Sequence, residues 1–158
     1  MSDASPNPTA GPEADHRALF AAHGLRCTRQ RQVVYAALAT SREHPTAEAI
    51  HEAVRASAAG SKEPGEAAIS LATVYNTLET LTQRGLCRKI ATPGGPCRYD
   101  ALTHEHAHVL AADGSLLDLP EDLSDRVMAS VRDPELIAEI EERLGVKVGR
   151  IGVQLAAE

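Results

Sequence analysis

The chain has no tryptophan, one phenylalanine and three tyrosines. Its core must therefore be built mainly from aliphatic side chains. Cysteine is equally scarce: Cys27, Cys87 and Cys97 are odd in number, and no two stand as Cys-x-x-Cys. That spacing excludes a disulfide framework and a four-cysteine zinc site, and it suits a reduced, cytoplasmic protein. No apolar run approaches the roughly 20 residues that span a bilayer. Residues 1–15 lack the basic and apolar regions of a secretory leader. The stretch 1–16 has no lysine or arginine and is rich in Pro, Ala and Asp, which predicts a disordered N-terminal tail.

Positive charge is missing from the first sixteen residues, concentrated in those that follow and outweighed by acid beyond residue 99. Residues 17–99 hold eleven Lys and Arg against six Asp and Glu, a net of +5, whereas residues 100–158 hold five against thirteen, a net of −8. The overall balance of −6 therefore hides a basic segment joined to an acidic one. That asymmetry suits a nucleic-acid module with a partner domain, and equally chance clustering on solvated faces.

Periodicity supplies the elements. Residues 16–23 read as a short helix stopped by Gly24. Arg29 to Thr40 carries Val33, Val34, Ala37 and Leu38 on one face. Thr46 is a good cap for a helix with Ala47, Ile50 and Val54 as its apolar stripe. Residues 60–68 read as a loop. Ser70 caps a helix with Leu71, Val74, Leu78 and Leu81 at helical spacing, ended by Gly85. Residues 87–90 and 98–100 read as strands around a Thr-Pro-Gly-Gly-Pro turn. Three helices and a hairpin outline a winged helix-turn-helix. Beyond it, residues 107–112 and 115–119 flank Asp113-Gly114, a two-residue hairpin signal. Helices are expected over 121–131 and 134–144, the second with Leu136, Ile137, Ile140 and Leu144 as its apolar stripe. Residues 146–155 read as a last strand.

The helix after Ser70 turns Ala72, Thr73, Tyr75, Asn76 and Glu79 away from its stripe. Such a helix fits the major groove: Asn pairs with adenine, Tyr and Thr touch a thymine methyl, and Ser or Thr meets phosphate. Arg29, Arg31, Arg84, Arg88, Lys89 and Arg98 are candidates for neutralising phosphates. A small helical core with a polar outer face fits the same periodicity.

His104, His106 and His108 fall within five residues, between Asp100 and Asp118. Imidazole and carboxylate are ligands for Fe²⁺, Mn²⁺, Ni²⁺ or Zn²⁺. Alternation predicts all three rings on one face of a strand. Each residue also has a plain alternative: strand-end turn for Asp100, exposed hairpin for Asp118, outer strand face for the histidines.

Thr28-Arg29-Gln30-Arg31, His44-Pro45-Thr46-Ala47-Glu48-Ala49-Ile50, Ile69 through Leu78, Gly85-Leu86, Arg98-Tyr99-Asp100 and the histidine cluster stand in series. This series resembles the ferric-uptake-regulator family of metal-dependent repressors over about residues 17–155. The resemblance implies an α+β chain: a winged-helix DNA-binding domain (17–100) and a small α/β dimerisation and metal-sensing domain (104–158). It implies a cytoplasmic homodimer on a palindromic operator, with no membrane and no small-molecule substrate. Carried over by position, the regulatory ligands are His44, Asp100, His106, His108 and Asp118, one site per chain for Fe²⁺ or Mn²⁺, with Zn²⁺ also suited. Tyr75 and Asn76 become base readers and Arg29 a backbone contact, with Ser70 and Thr73 beside them. His104 falls outside the matched set, and Glu105 is a weak candidate for a second site.

Asn76 and Asp118 resemble the peroxide-stress repressor type, in which bound Fe²⁺ reacts with H₂O₂ and a ligand imidazole is oxidised; His44 and His106 match those positions. The alternatives are a repressor responding to iron, manganese or zinc without redox chemistry and, more remotely, a non-haem metalloenzyme. The sequence departs from the family at its structural zinc. Ala111-Ala112-Asp113-Gly114 and Gln154 to Glu158 stand where two Cys-x-x-Cys pairs are usual, and Arg150 stands where a further metal site often has His.

Overall fold

The computed structural model describes residues 16–41, 43–59 and 69–157. The expected tail, apart from His16, and the expected loop over 60–68 lie outside the described residues. Four helices come first: α1 His16–Ala22, α2 Arg29–Thr40, α3 Ala47–Ala59 and α4 Leu71–Gln83. Their starts follow from local hydrogen bonding. Thr28 accepts from the Arg31 N–H, Thr46 from Ala49 at 3.2 Å and Ser70 from Thr73 at 3.1 Å, each satisfying an amide that the first helical turn leaves open.

The apolar stripes of these helices meet in one cluster that includes Phe20, Val34, Leu38, Ile50, Val54, Val74, Leu78, Leu81 and Tyr99. Phe20 is fully buried, with its ring edge-on to Tyr35 at 5.5 Å. Burying a side chain of that size contributes about 1.5–3 kcal/mol. Strands β1 (Arg88–Ile90) and β2 (Arg98–Asp100) pair antiparallel, with Arg88 opposite Asp100, and Thr46 bridges to Arg98 from the other side. This is the expected winged helix-turn-helix outline.

The second lobe is a three-stranded sheet ordered β4-β3-β5, from β3 Ala107–Leu110, β4 Leu116–Asp118 and β5 Val153–Ala156. Strand β5 runs parallel to β3. A parallel neighbour needs a crossover, supplied by α5 Glu121–Val131 and α6 Pro134–Leu144. Asp133 caps α6 through Glu135 N–H, Pro134 opens it, and Gly145 ends it in the left-handed conformation at φ 65°.

Two expectations are corrected here. The β3–β4 hairpin has a three-residue loop rather than two: Ala111 N–H donates to Ser115 O, and Gly114 N–H to Ala111 O. Gly114 takes φ 80°, the left-handed residue that such a loop needs. The final strand is only Val153–Ala156, since residues 146–152 have no ladder partner. The expected apolar stripe of α6 is present: Ile137 and Ile140 are half-buried, and Leu136 and Leu144 are exposed among the described residues.

Candidate metal centre and reading helix

The five expected ligands converge although four separate stretches of chain carry them. His44 lies in the loop before α3, Asp100 closes β2, His106 and His108 sit at the entry to and within β3, and Asp118 closes β4. The spacing of two puts both β3 rings on one side. The antiparallel register sets Asp118 opposite His108. His44 is the one non-glycine residue with positive φ among the described residues, at 47°. Backbone held in that region before a proline costs energy and clusters at functional positions.

Asp118 Oδ1 lies 3.0 Å from His44 Nε2, 3.0 Å from His106 Nε2 and 3.4 Å from His108 Nε2. Asp100 Oδ2 lies 3.8, 3.2 and 3.9 Å from the same three nitrogens. Two atoms each bound about 2.1 Å from one ion sit roughly 3–4 Å apart, so His44, His106, His108 and Asp118, whose ligand atoms all lie within 4.8 Å of one another, could hold a single metal, with Asp100 Oδ2 beside their nitrogens. His44, Asp100, His106 and His108 are buried, and Asp118 is the solvent-facing member. His44 Nε2, Asp100 Oδ2 and His108 Nε2 are buried without a well-formed hydrogen bond. Such atoms are costly unless something else satisfies them, and a cation held in the cluster would do so.

The backs of two rings are fixed. His44 Nδ1 pairs with Leu116 O at 3.1 Å and His106 Nδ1 with His104 O at 2.9 Å. A ring that donates from Nδ1 leaves Nε2 free to bind metal. The electrostatics follow from crowding. Burial opposes a charged His106, but Asp100, Asp118 and the His104 carbonyl override it and push the imidazolium up to about 10. His44 is raised as well, against burial, by Asp118 and Asp100. Burial also opposes ionised Asp100 and Asp118, yet the imidazoles hold both carboxyls far below the usual range, and at Asp100 the Leu102 N–H adds to this.

His104 stands outside the cluster, as its place outside the matched set implied. Strand β3 begins after it, and its ring is exposed; its carbonyl, not its ring, serves the cluster. Glu105 accepts from Arg132 at 2.7 Å and from Ile151 N–H at 3.1 Å. The sequence reading did not find Ser124, which is buried and accepts from Ala107 N–H at 2.9 Å, fixing α5 against β3. A serine within an amphipathic helix gave no signal of that.

On α4, Tyr75 and Asn76 are exposed and Thr73 is half-buried. Ser70 and Thr73 also bond to each other through their hydroxyls at 2.9 Å. Tyr75 OH donates to Glu48 Oε1 at 2.6 Å, so a residue of α3 sets the angle of its ring. Arg29 is exposed at the start of α2, and Arg84 and Lys89 are exposed too. Two of the expected phosphate contacts also bond to carbonyls of this chain, Arg98 while half-buried. Arg88 is buried and donates to His104 O at 2.8 Å, and Arg98 donates to Gly114 O at 2.6 Å. Cys87 is buried, which pushes its thiol up to about 11 despite the Thr82 hydroxyl; it is no nucleophile.

A winged helix joined to a buried cluster of imidazole and carboxylate is the architecture of a metal-responsive regulator. The family model of the ferric uptake regulator family matches residues 22–143, and the chain belongs to that family. It is 33% identical over 97 residues to the peroxide-responsive repressor PerR of Staphylococcus saprophyticus, covering 61% of this chain and 60% of that one. The chain thus spans about three-fifths of the length of the curated relatives it matches. Solved structures share the fold. The ferric uptake regulator of Pseudomonas aeruginosa with manganese superposes with TM-score 0.64 at 20% identity, covering 92% of this chain and 98% of that one. The peroxide stress regulator of Campylobacter jejuni does so with TM-score 0.57 at 24% identity, covering 90% of each. No described helix is long and apolar enough to cross a membrane.

Proposed function

We propose that this chain is a metal-dependent, DNA-binding transcriptional repressor that responds to peroxide through Fe²⁺ held by His44, Asp100, His106, His108 and Asp118. The observation that carries this reading is the participation of His44. It belongs to the reading lobe (17–100), while His106, His108 and Asp118 belong to the sensor lobe (104–158). A metal shared between them fixes the angle of the reading helix. Two heads of a homodimer must meet successive major grooves about one helical turn apart, or a near multiple, so that angle decides operator affinity. Arg29, Ser70, Thr73, Tyr75 and Asn76 are the residues assigned to a palindromic operator. A second copy would cover the apolar face around Leu136 and Leu144.

Fe²⁺ at this site supplies the reductant for peroxide, next to the rings of His44 and His106. Oxidation of either ring removes a ligand and with it the tie between lobes. Mn²⁺, present in the Pseudomonas relative's structure, suits the same oxygen and nitrogen set and would hold the repressor without that chemistry. A repressor responding to iron, manganese or zinc with no redox step is the second reading, favoured by the same ligand set. The test is operator binding by Fe²⁺ and Mn²⁺ forms before and after H₂O₂, with mass spectrometry of the His44 and His106 peptides. The peroxide reading expects loss of binding and one added oxygen in the iron form only. Retained binding by the iron form supports the second reading.

A further inference from the structure

We propose that Arg98, seconded by Arg88, is a positioning residue of the metal centre and carries its occupancy to the wing. The proposal rests on the five-ligand reading. Arg98 lies two residues before Asp100 on β2. Its Nη1 donates to the His44 carbonyl at 3.1 Å and to the Glu43 carbonyl at 3.5 Å, and its Nη2 reaches Gly114 O at 2.6 Å. One guanidinium thus touches the loop that carries His44 and the tip of the hairpin that carries His108 and Asp118, from the strand that carries Asp100. The loop is tied to β2 again by Tyr99 N–H to Pro45 O at 3.0 Å and by the Thr46–Arg98 bridge.

Arg88 repeats the arrangement at the other end. It stands opposite Asp100 on β1 and donates to His104 O, the same carbonyl that fixes the His106 ring. Two wing arginines therefore grip the sensor lobe at both ends of the ligand-bearing segment. A planar fork of donors bridges two carbonyls in a way that a lysine ammonium does not. Partners that orient metal ligands without touching the metal are worth about 10–100-fold in affinity. The left-handed backbone of His44 gives the grip its purpose: the strained loop keeps its ring on the site because Arg98 holds its carbonyl.

The test uses the full chain with Co²⁺ as the probe. Affinity and visible absorption are measured for wild type, Arg98→Met and Arg98→Lys, with hydrogen exchange of β1–β2 and β3–β4 with and without Co²⁺. The expected result for Arg98→Met is about 10–100-fold weaker Co²⁺ binding with unchanged absorption bands at saturation, because all five ligands remain. Co²⁺ should slow exchange in both hairpins of wild type but only in β3–β4 of the variant. Arg98→Lys should fall between them, and it decides the matter if Arg98→Met does not fold. Variants that match wild type in Co²⁺ affinity and in wing protection overturn the proposal. So does a loss of operator affinity with Co²⁺ binding intact, which marks Arg98 as a phosphate contact. If wild type binds no Co²⁺, or binds it with a spectrum indifferent to His44→Ala, the five-ligand reading itself fails.

Discussion

The reading lobe closes fourteen residues, from Phe20 to Tyr99, into one buried cluster. Beyond residue 104 the buried apolar side chains are only Ala107, Leu116 and Met128, while Leu117, Leu123, Leu136, Leu144, Val146 and Leu155 stand exposed. Tyr75, on the reading helix, is the one exposed large hydrophobic of the described reading lobe. The charges divide the same way, +5 over residues 17–99 and −8 over residues 100–158. One lobe gathers its apolar side chains into a buried core and keeps a polar surface. The other leaves more of its large apolar side chains exposed and buries the imidazole and carboxylate cluster. The proposed reading assigns that exposed face to a second copy and those unsatisfied buried atoms to an ion.

The largest expected effect attacks the lobe with the buried core. Phe20→Ala should cost about 3–5 kcal/mol in chemical denaturation, a cavity cost that metal does not repair. A loss below about 1 kcal/mol would show that this core is not what holds the reading head. Next, removing metal with a chelator should strip hydrogen-exchange protection from β3 and β4 while α2 to α4 keep theirs. A site saturated at a hundred times its Kd stabilises by about 2.7 kcal/mol. Equal loss in both lobes would erase the contrast. Third, Leu136→Glu with Leu144→Glu should convert dimer to monomer in sedimentation velocity, with the reading lobe's own unfolding changed by about 0.5 kcal/mol or less. A persistent dimer places the interface elsewhere.

The smallest effect is in pH. His106, raised from 6.5 to about 10 in the metal-free fold, contributes stability that is fully present below about pH 6.5 and lost as pH climbs through 10. Asp100 and Asp118, lowered from 3.8, contribute above roughly pH 4 and lose that as pH falls. Metal-free protein should therefore weaken toward alkaline pH, while metal affinity rises because binding must displace the His106 proton. Calorimetry in buffers of different ionisation enthalpy reads the released proton directly; zero release contradicts the charge assignment at His106.

Much of this was legible in the sequence because it is local. The stripes Val74-Leu78-Leu81 and Ala47-Ile50-Val54 repeat at helical period, and Thr46 and Ser70 cap where their spacing places them. The ligand types were legible too, since His106 and His108 alternate and Asp118 follows at hairpin distance. His44 was not readable from its own surroundings, because Pro45-Thr46 accounts for the local turn; only the series of motifs brought it in. Arg88 and Arg98 looked like phosphate contacts because charge in a sequence has no direction; tertiary packing buries Arg88 and half-buries Arg98 against carbonyls of the second lobe. Alternation suggested one strand face for all three rings, yet pairing begins only at Ala107, where the strand itself was expected. The apolar stripe of α6 is real, but a stripe does not say whether its cover comes from the same chain.

The claim that a metal joins the two lobes rests on His44. Calorimetric titration of wild type and His44→Ala with Mn²⁺ tests it most directly. The account predicts one Mn²⁺ per wild-type chain and a loss in His44→Ala larger than the roughly 10–100-fold that a supporting residue costs. Unchanged Mn²⁺ affinity in His44→Ala would place the metal wholly within the sensor lobe and contradict it.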